Sequence, residues 1–253
     1  MRQVTCCLLF TTVLIGGIAQ AESKPLLRIG VDVPYAPYQY KEPDGTITGF
    51  EVELVNAACE RMQRECEWVE QGWDGIIPGL MARKYDLIAS AMNITEERSR
   101  QVSFSIPYYQ VPSVWVKNSN NEYDLEGNLA DVAIGVQQAT IQDEYVTTYY
   151  PDADIHRYAD SGSVVTDMHA GRLDLVFTAY SLAQETMLQD ERFVKTGELI
   201  TGPESIYGPG IGAAFRPRDT ALIEDHTVWL KSSSATLSLS NLVWNKKDEQ
   251  QYC

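Results

Sequence analysis

Arg98 is the side chain best placed to meet an anion, at the end of the stretch Ser90-Ala91-Met92-Asn93-Ile94-Thr95-Glu96-Glu97-Arg98. The run 85–90 before it is short and mostly apolar, as a buried strand would be. Thr95 followed by Glu96 and Glu97 predicts a helix start, with a hydroxyl N-cap and an acidic first turn. A strand that ends at a helix N-terminus leaves backbone N–H groups free to receive a small anion. An arginine one turn further adds two parallel donors that match a carboxylate. Taken alone, Arg98 reads more readily as a solvated helix arginine, and its neighbours change the balance.

Asp32 offers the complementary chemistry. It closes the apolar run 26–31, and a carboxylate there can accept charge-assisted bonds from an ammonium or guanidinium, worth ~1.5–3 kcal/mol. A turn or cap aspartate is an equal reading of the same residue. Tyr35 and Trp73 would stack on the stem of such a cation, or serve as core aromatics. Glu51 would add negative charge at longer range, although a solvated helix residue is the plainer reading.

The elements that must hold these residues alternate between strand and helix. Strands are expected near 26–31, 67–70 and 85–90, with helices over 52–64 and from Ile76 to about Lys84. Asp32, Trp73 and Ser90 then fall at or just past strand ends, where α/β sheets hold ligands. The stretch 105–117 is extended and aromatic, limited by Pro107 and Pro112. A second unit starts at 131–136, with a helix through Tyr145, strands at 156–158 and 173–177, and a helix near 164–170. The stretch 208–215 is a glycine-punctuated strand; no P-loop lysine or dinucleotide fingerprint accompanies it.

Residues 1–21 have the form of a secretory leader: Arg2, an apolar core from Cys6 to Ile18, and Ala19-Gln20-Ala21 at the cleavage point. Cys6 and Cys7 sit too early for a lipoprotein cysteine, so a soluble exported protein is expected. The net charge of −15 disfavours nucleic acid as a partner and only weakly favours cationic ligands. Cys59 and Cys66, seven apart, read as a local disulfide in an oxidising compartment. Histidines occur only at His156, His169 and His226, which argues against a metal site, and no motif calls for a cofactor.

Four blocks occur in order: 28–38, 49–54, 73–80 and 94–98. Together they resemble the periplasmic solute-binding proteins of polar-amino-acid ABC transporters, especially the lysine/arginine/ornithine- and histidine-binding group. The likeness runs from about Leu26 to about Asp225. It implies an α/β type II fold of two lobes, each a mixed sheet flanked by helices, joined by a two-strand hinge. Lobe 1 would take 22–110 and 211–253, lobe 2 would take 114–205, and the hinge 110–113 and 204–210. The resemblance also implies a Cys59–Cys66 disulfide, a membrane permease as partner, a periplasmic location and a monomeric chain that binds rather than catalyses.

In that group the α-carboxylate would meet Arg98 and backbone N–H groups near Thr95 and Thr140, with Gln137 nearby. The family's hydroxyl is missing at Ile141. Asp32, Tyr35, Trp73 and Glu51 would receive a cationic side chain. At the α-ammonium site Ala179 replaces an aspartate, while Ala91 and Asn93 replace serines; Ser90 and the Asn93 amide remain. That change and the 70–78 block are more similar to the opine-binding branch. The implied ligand is a basic amino acid or an N-substituted relative. A dehydratase on the same fold is a weaker alternative, since Ala179 supplies no acid. From about 226 the serine-rich tail departs from the family, as a shifted frame or a divergent end would.

Overall fold

The computed structural model describes residues 24–127 and 129–225. The expected leader, the tail beyond Asp225 and Cys253 lie outside the described residues. In chain order the first lobe comprises β1 (Leu26–Val31), the hairpin β2 (Tyr40–Lys41) and β3 (Ile47–Thr48), α1 (Phe50–Arg61) and β4 (Glu65–Glu70). A 3₁₀ turn at Trp73–Gly75 then leads into α2 (Ile76–Met81), followed by β5 (Leu87–Ile88), α3 (Glu96–Ser99) and β6 (Ser103–Phe104). The second lobe comprises β7 (Ser113–Asn118), β8 (Ala133–Gln137), α4 (Ile141–Tyr149), β9 (Asp154–Tyr158), α5 (Ser161–His169), β10 (Leu175–Ala179) and α6 (Tyr180–Glu185). It ends with β11 (Phe193–Ile200) and α7 (Glu204–Tyr207), and β12 (Ala214–Phe215) returns to the first lobe.

Each lobe is built on one five-stranded sheet, in the orders β4-β1-β5-β12-β6 and β11-β7-β10-β8-β9. Both sheets are mixed. In the first, β1 runs parallel to β4 and β5, while β12 is antiparallel to β5 and β6. In the second, β8 runs parallel to β9 and β10, and β7 is antiparallel to β10 and β11. Because β12 follows the whole second sheet, the chain crosses between lobes twice, over 105–112 and 208–213. The crossings pair through Tyr108 N–H to Ile211 O at 3.0 Å and Ile211 N–H to Tyr109 O at 2.7 Å. Ser113, expected in the hinge, is already the first residue of β7.

Packing explains several sequence choices. The Tyr85 ring is fully buried, and a Cβ on Gly30 of β1 would lie 2.5 Å from it. The Tyr85 hydroxyl donates to Ile76 O at 2.5 Å, which fixes the ring under α2. At Gly208, where φ is +60°, a Cβ would fall 1.8 Å from Ile94 O, so the return crossing lies directly on the backbone of the 90–95 loop. Helix α1 starts at Phe50, two residues before the expected Val52, because Gly49 turns the chain with φ +126°. Its far end is joined to β4 by the Cys59–Cys66 disulfide. Among the described residues no helix is long and apolar enough to cross a membrane. Gly30→Val should force Tyr85 out of place and cost about 2–3 kcal/mol, read as a lowered denaturant midpoint with an unchanged m-value.

Candidate ligand-binding site

The sequence places the key residues at the strand ends, and the two lobes bring them together. β1 ends at Val31, so Asp32 is the first residue beyond the sheet, only 8 % exposed. Its N–H donates to Ser90 Oγ at 2.9 Å, and Ser90 Oγ also accepts from Gln39 Nε2 at 3.2 Å. Ser90 therefore orients Asp32 and does not line the cavity beside it. From the second lobe, Gln137 at the end of β8 donates through Nε2 to Asp32 Oδ2 at 2.9 Å. Burial pushes the Asp32 carboxyl up from 3.8 to about 6; the Gln137 bond opposes this, and the charges of Asp160, Asp74 and Glu70 add to it. Acidic charge thus faces Asp32 from both lobes.

Thr95 caps α3 as expected, with Oγ1 accepting from Arg98 N–H at 3.3 Å. The helix is only four residues long, and Thr95 N–H is used by Asn93 O at 3.1 Å. The free helix end expected there is thus partly spent, which leaves the Arg98 guanidinium as the charged donor at this end of the site. Arg98 is half-buried: Nη1 donates to Asn93 O at 3.0 Å, and Nη2 crosses to Ala139 O of the second lobe at 3.2 Å. Its guanidinium carbon lies 5.1 Å from the centroid of the Trp73 ring. Desolvation lowers its pKa to about 10, against the opposing charges of Glu144 and Glu97. Trp73 Nε1 donates to the same Ala139 carbonyl at 2.9 Å. Trp73 therefore stacks on Arg98, and Tyr35 on Tyr38 with ring centroids 5.7 Å apart.

A cavity of about 30 Å³ between the lobes is lined by Asp32, Tyr35, Trp73, Ala91, Asn93 and Arg98 on one side and by Gln137, Thr140 and Ile141 on the other. Val111, Gln142 and Ile211 complete it. None of these three is among the expected lining residues: Val111 falls in the expected hinge 110–113, and Ile211 lies one residue past the other expected hinge segment. Room for one or two waters is too little for an amino acid, so entry requires the lobes to part and the Gln137–Asp32 and Arg98–Ala139 contacts to break. Outside Trp73, Arg98 and Thr140 the cleft widens to about 550 Å³, rimmed by Asp74, Glu97, Glu144 and Asp143, the last paired with Arg157 at 2.8 Å.

Four expected ligand residues do not line the small interlobe cavity, although Thr95 faces the wider cleft outside it. Glu51 is 1 % exposed, not solvated; its carboxylate accepts from Ala91 N–H at 2.5 Å and from the Tyr108 hydroxyl. Ala179 is fully buried and packs with Ala91, Val111, Ile211 and Tyr38. Ser90 and Thr95 are occupied as described above. Within the lining, the Asn93 side-chain amide donates to Tyr207 O at 3.0 Å. Thr140 caps α4, accepting from Asp143 N–H at 3.2 Å and donating to Gln137 O at 2.7 Å.

Residues 27–243 match the bacterial extracellular solute-binding proteins, family 3. The chain belongs to that family. It is 38 % identical over 213 residues to an L-arginine-binding protein of Pseudomonas aeruginosa, covering 80 % of each chain. It is 30 % identical over 233 residues to an octopine-binding periplasmic protein of Rhizobium meliloti, covering 81 % of this chain and 77 % of that one. A solved periplasmic binding protein of Salmonella typhimurium, described as highly arginine-specific, superimposes with a TM-score of 0.81 at 27 % identity, over 86 % of this chain and 97 % of that one. A solved ancestral amino-acid-binding protein, described as a precursor of cyclohexadienyl dehydratase, superimposes with a TM-score of 0.74 at 27 % identity, over 86 % of this chain and 92 % of that one.

The raised pKa of Asp32 sets a pH dependence. The folded protein holds this proton more tightly than the unfolded chain, so stability should fall as pH rises from about 4 to about 6 and then level off at this group. Thermal unfolding across that range should show the slope, to which Glu51, whose carboxyl is raised from 4.5 to about 7, adds its own share; Asp32→Asn should remove only the part due to Asp32.

Proposed function

We propose that this family member captures a basic L-amino acid, with arginine first among candidates, in the periplasm and delivers it to an ABC-transporter permease. The observation that carries this reading is the pairing of Arg98 and Asp32 on one interlobe cavity. The guanidinium would receive the α-carboxylate in place of the Ala139 carbonyl. The cationic side-chain terminus would replace Gln137 at Asp32, relieving the negative charge gathered there from both lobes. The acidic mouth of the cleft would raise the local concentration of cations. Parting of the lobes about the two crossings would admit the ligand, and closure would trap it. The relatives support the ligand class, since the Pseudomonas protein is an L-arginine-binding protein. The reading is one of binding without turnover, in which Asp32 serves as an electrostatic partner.

A second ligand reading is an N-substituted basic amino acid. It is favoured by Ala179, which packs with Ala91, Val111 and Ile211 and offers no carboxylate to a free α-ammonium. The octopine-binding relative fits the same chemistry.

A thermal-shift panel of arginine, lysine, ornithine, histidine, octopine and neutral amino acids tests both readings. Arginine at about 100-fold its dissociation constant should stabilise by about 2.7 kcal/mol. A shift with octopine alone would select the second reading, and no shift with any of them would end both. Arg98→Ala should weaken arginine binding by more than about 100-fold in titration calorimetry. Asp32→Asn should weaken arginine and lysine by about tenfold or more while sparing neutral ligands. Wild-type affinity in either variant would contradict the assigned role.

A further inference from the structure

Glu51 is the carboxylate that the ligand-binding reading leaves unused. It sits in the first turn of α1, where the helix dipole favours negative charge, and is 1 % exposed. Its two oxygens face different elements. Oε2 accepts from the N–H of Ala91 in the cavity-lining loop, at 2.5 Å. Oε1 accepts from the hydroxyl of Tyr108, in the first crossing between lobes. Ala91 has φ +49°, a left-handed conformation that a non-glycine residue adopts only when neighbouring structure enforces it.

On its other side the same loop is laced to the return crossing, through Ile94 N–H to Gly210 O at 2.8 Å and Gly212 N–H to Met92 O at 3.0 Å. Tyr108 N–H in turn bonds Ile211 O at 3.0 Å. Loop, outward crossing and return crossing thus form a ring of contacts, in which Glu51 is a titratable member.

We propose that Glu51 is a positioning residue: its carboxylate holds the Ala91 end of the ligand loop to Tyr108, so that loop geometry and lobe orientation are set together. This rests on the reading of the cavity as the ligand site. An ionised Glu51 accepts both bonds at once. A protonated one must use one oxygen as a donor, so the Tyr108 contact has to reverse or weaken. Burial raises its pKa from 4.5 to about 7, with the Tyr108 and Ala91 bonds opposing. The titratable groups that its charge acts on are Tyr108 and, across the aromatic loop, Tyr35, both held neutral. The coupling therefore changes across neutral pH.

Two readouts on the full chain test this. The Ala91 amide proton, followed by NMR between pH 5.5 and 8.5 on the order of half a unit per step, should titrate near pH 7 in the wild type and stay fixed in Glu51→Gln. Tyr108→Phe, which removes one donor to the carboxylate, should move that midpoint upward. Arginine affinity should fall about tenfold in Glu51→Gln and lose the part of its pH dependence centred near 7. An Ala91 resonance at the same position in the wild type and in Glu51→Gln overturns the proposal, as does wild-type arginine affinity in Glu51→Gln. If the wild type binds no basic ligand, the functional reading fails and the amide titration still decides the role of Glu51.

Discussion

The structure turns on a guanidinium held between two carbonyls of different lobes. Arg98 reaches Asn93 O on its own lobe and Ala139 O on the other, with the Trp73 ring beneath it. A desolvated guanidinium needs acceptors, and backbone carbonyls meet that need only in part, because they bring no full negative charge. A carboxylate satisfies the same donors with charge as well as geometry. In the proposed function a ligand carboxylate would take the place of the Ala139 carbonyl at Arg98. Ala139, with φ +57°, aims its carbonyl at both Arg98 and Trp73, so the second lobe takes a strained backbone conformation to make this contact.

At the other end of the cavity the logic is reversed in sign. Asp32 sits in a negative environment, and its partner there is the neutral amide of Gln137. Either a proton or a cation can relieve that charge. Under the proposed function the two ends would suit a molecule with a carboxylate at one terminus and a positive group at the other. Parting the lobes costs several modest hydrogen bonds, including Ser161 Oγ to Pro34 O at 2.7 Å and Tyr38 to Ser181 at 2.8 Å. Contacts of this size can be exchanged for ligand contacts without demanding large energies.

Much of this was legible in the chain because it is local. The apolar run before Asp32, the Thr95 cap, and Arg98 three residues on are set by spacing alone, and the structure keeps all three. Placing Glu51 required tertiary information: its helical position is compatible with solvent, and only the return of the 90–95 loop and the Tyr108 crossing over it creates the buried site. Val111 and Ile211 were missed for the same reason, since they meet only when the second crossing folds back on the first. The strand β11 was not anticipated either, although it is eight residues long. It lies at the sheet edge with Gly197 interrupting its alternation, and it pairs with β7 through a shifted register.

The central claim is that one small molecule spans Arg98 and Asp32. Titration calorimetry of L-arginine side by side with agmatine, which lacks the carboxylate, and citrulline, which lacks the positive tip, tests it most directly. The account predicts saturable binding of arginine and a loss of about tenfold or more for each analogue. Equal affinities for all three compounds would contradict it.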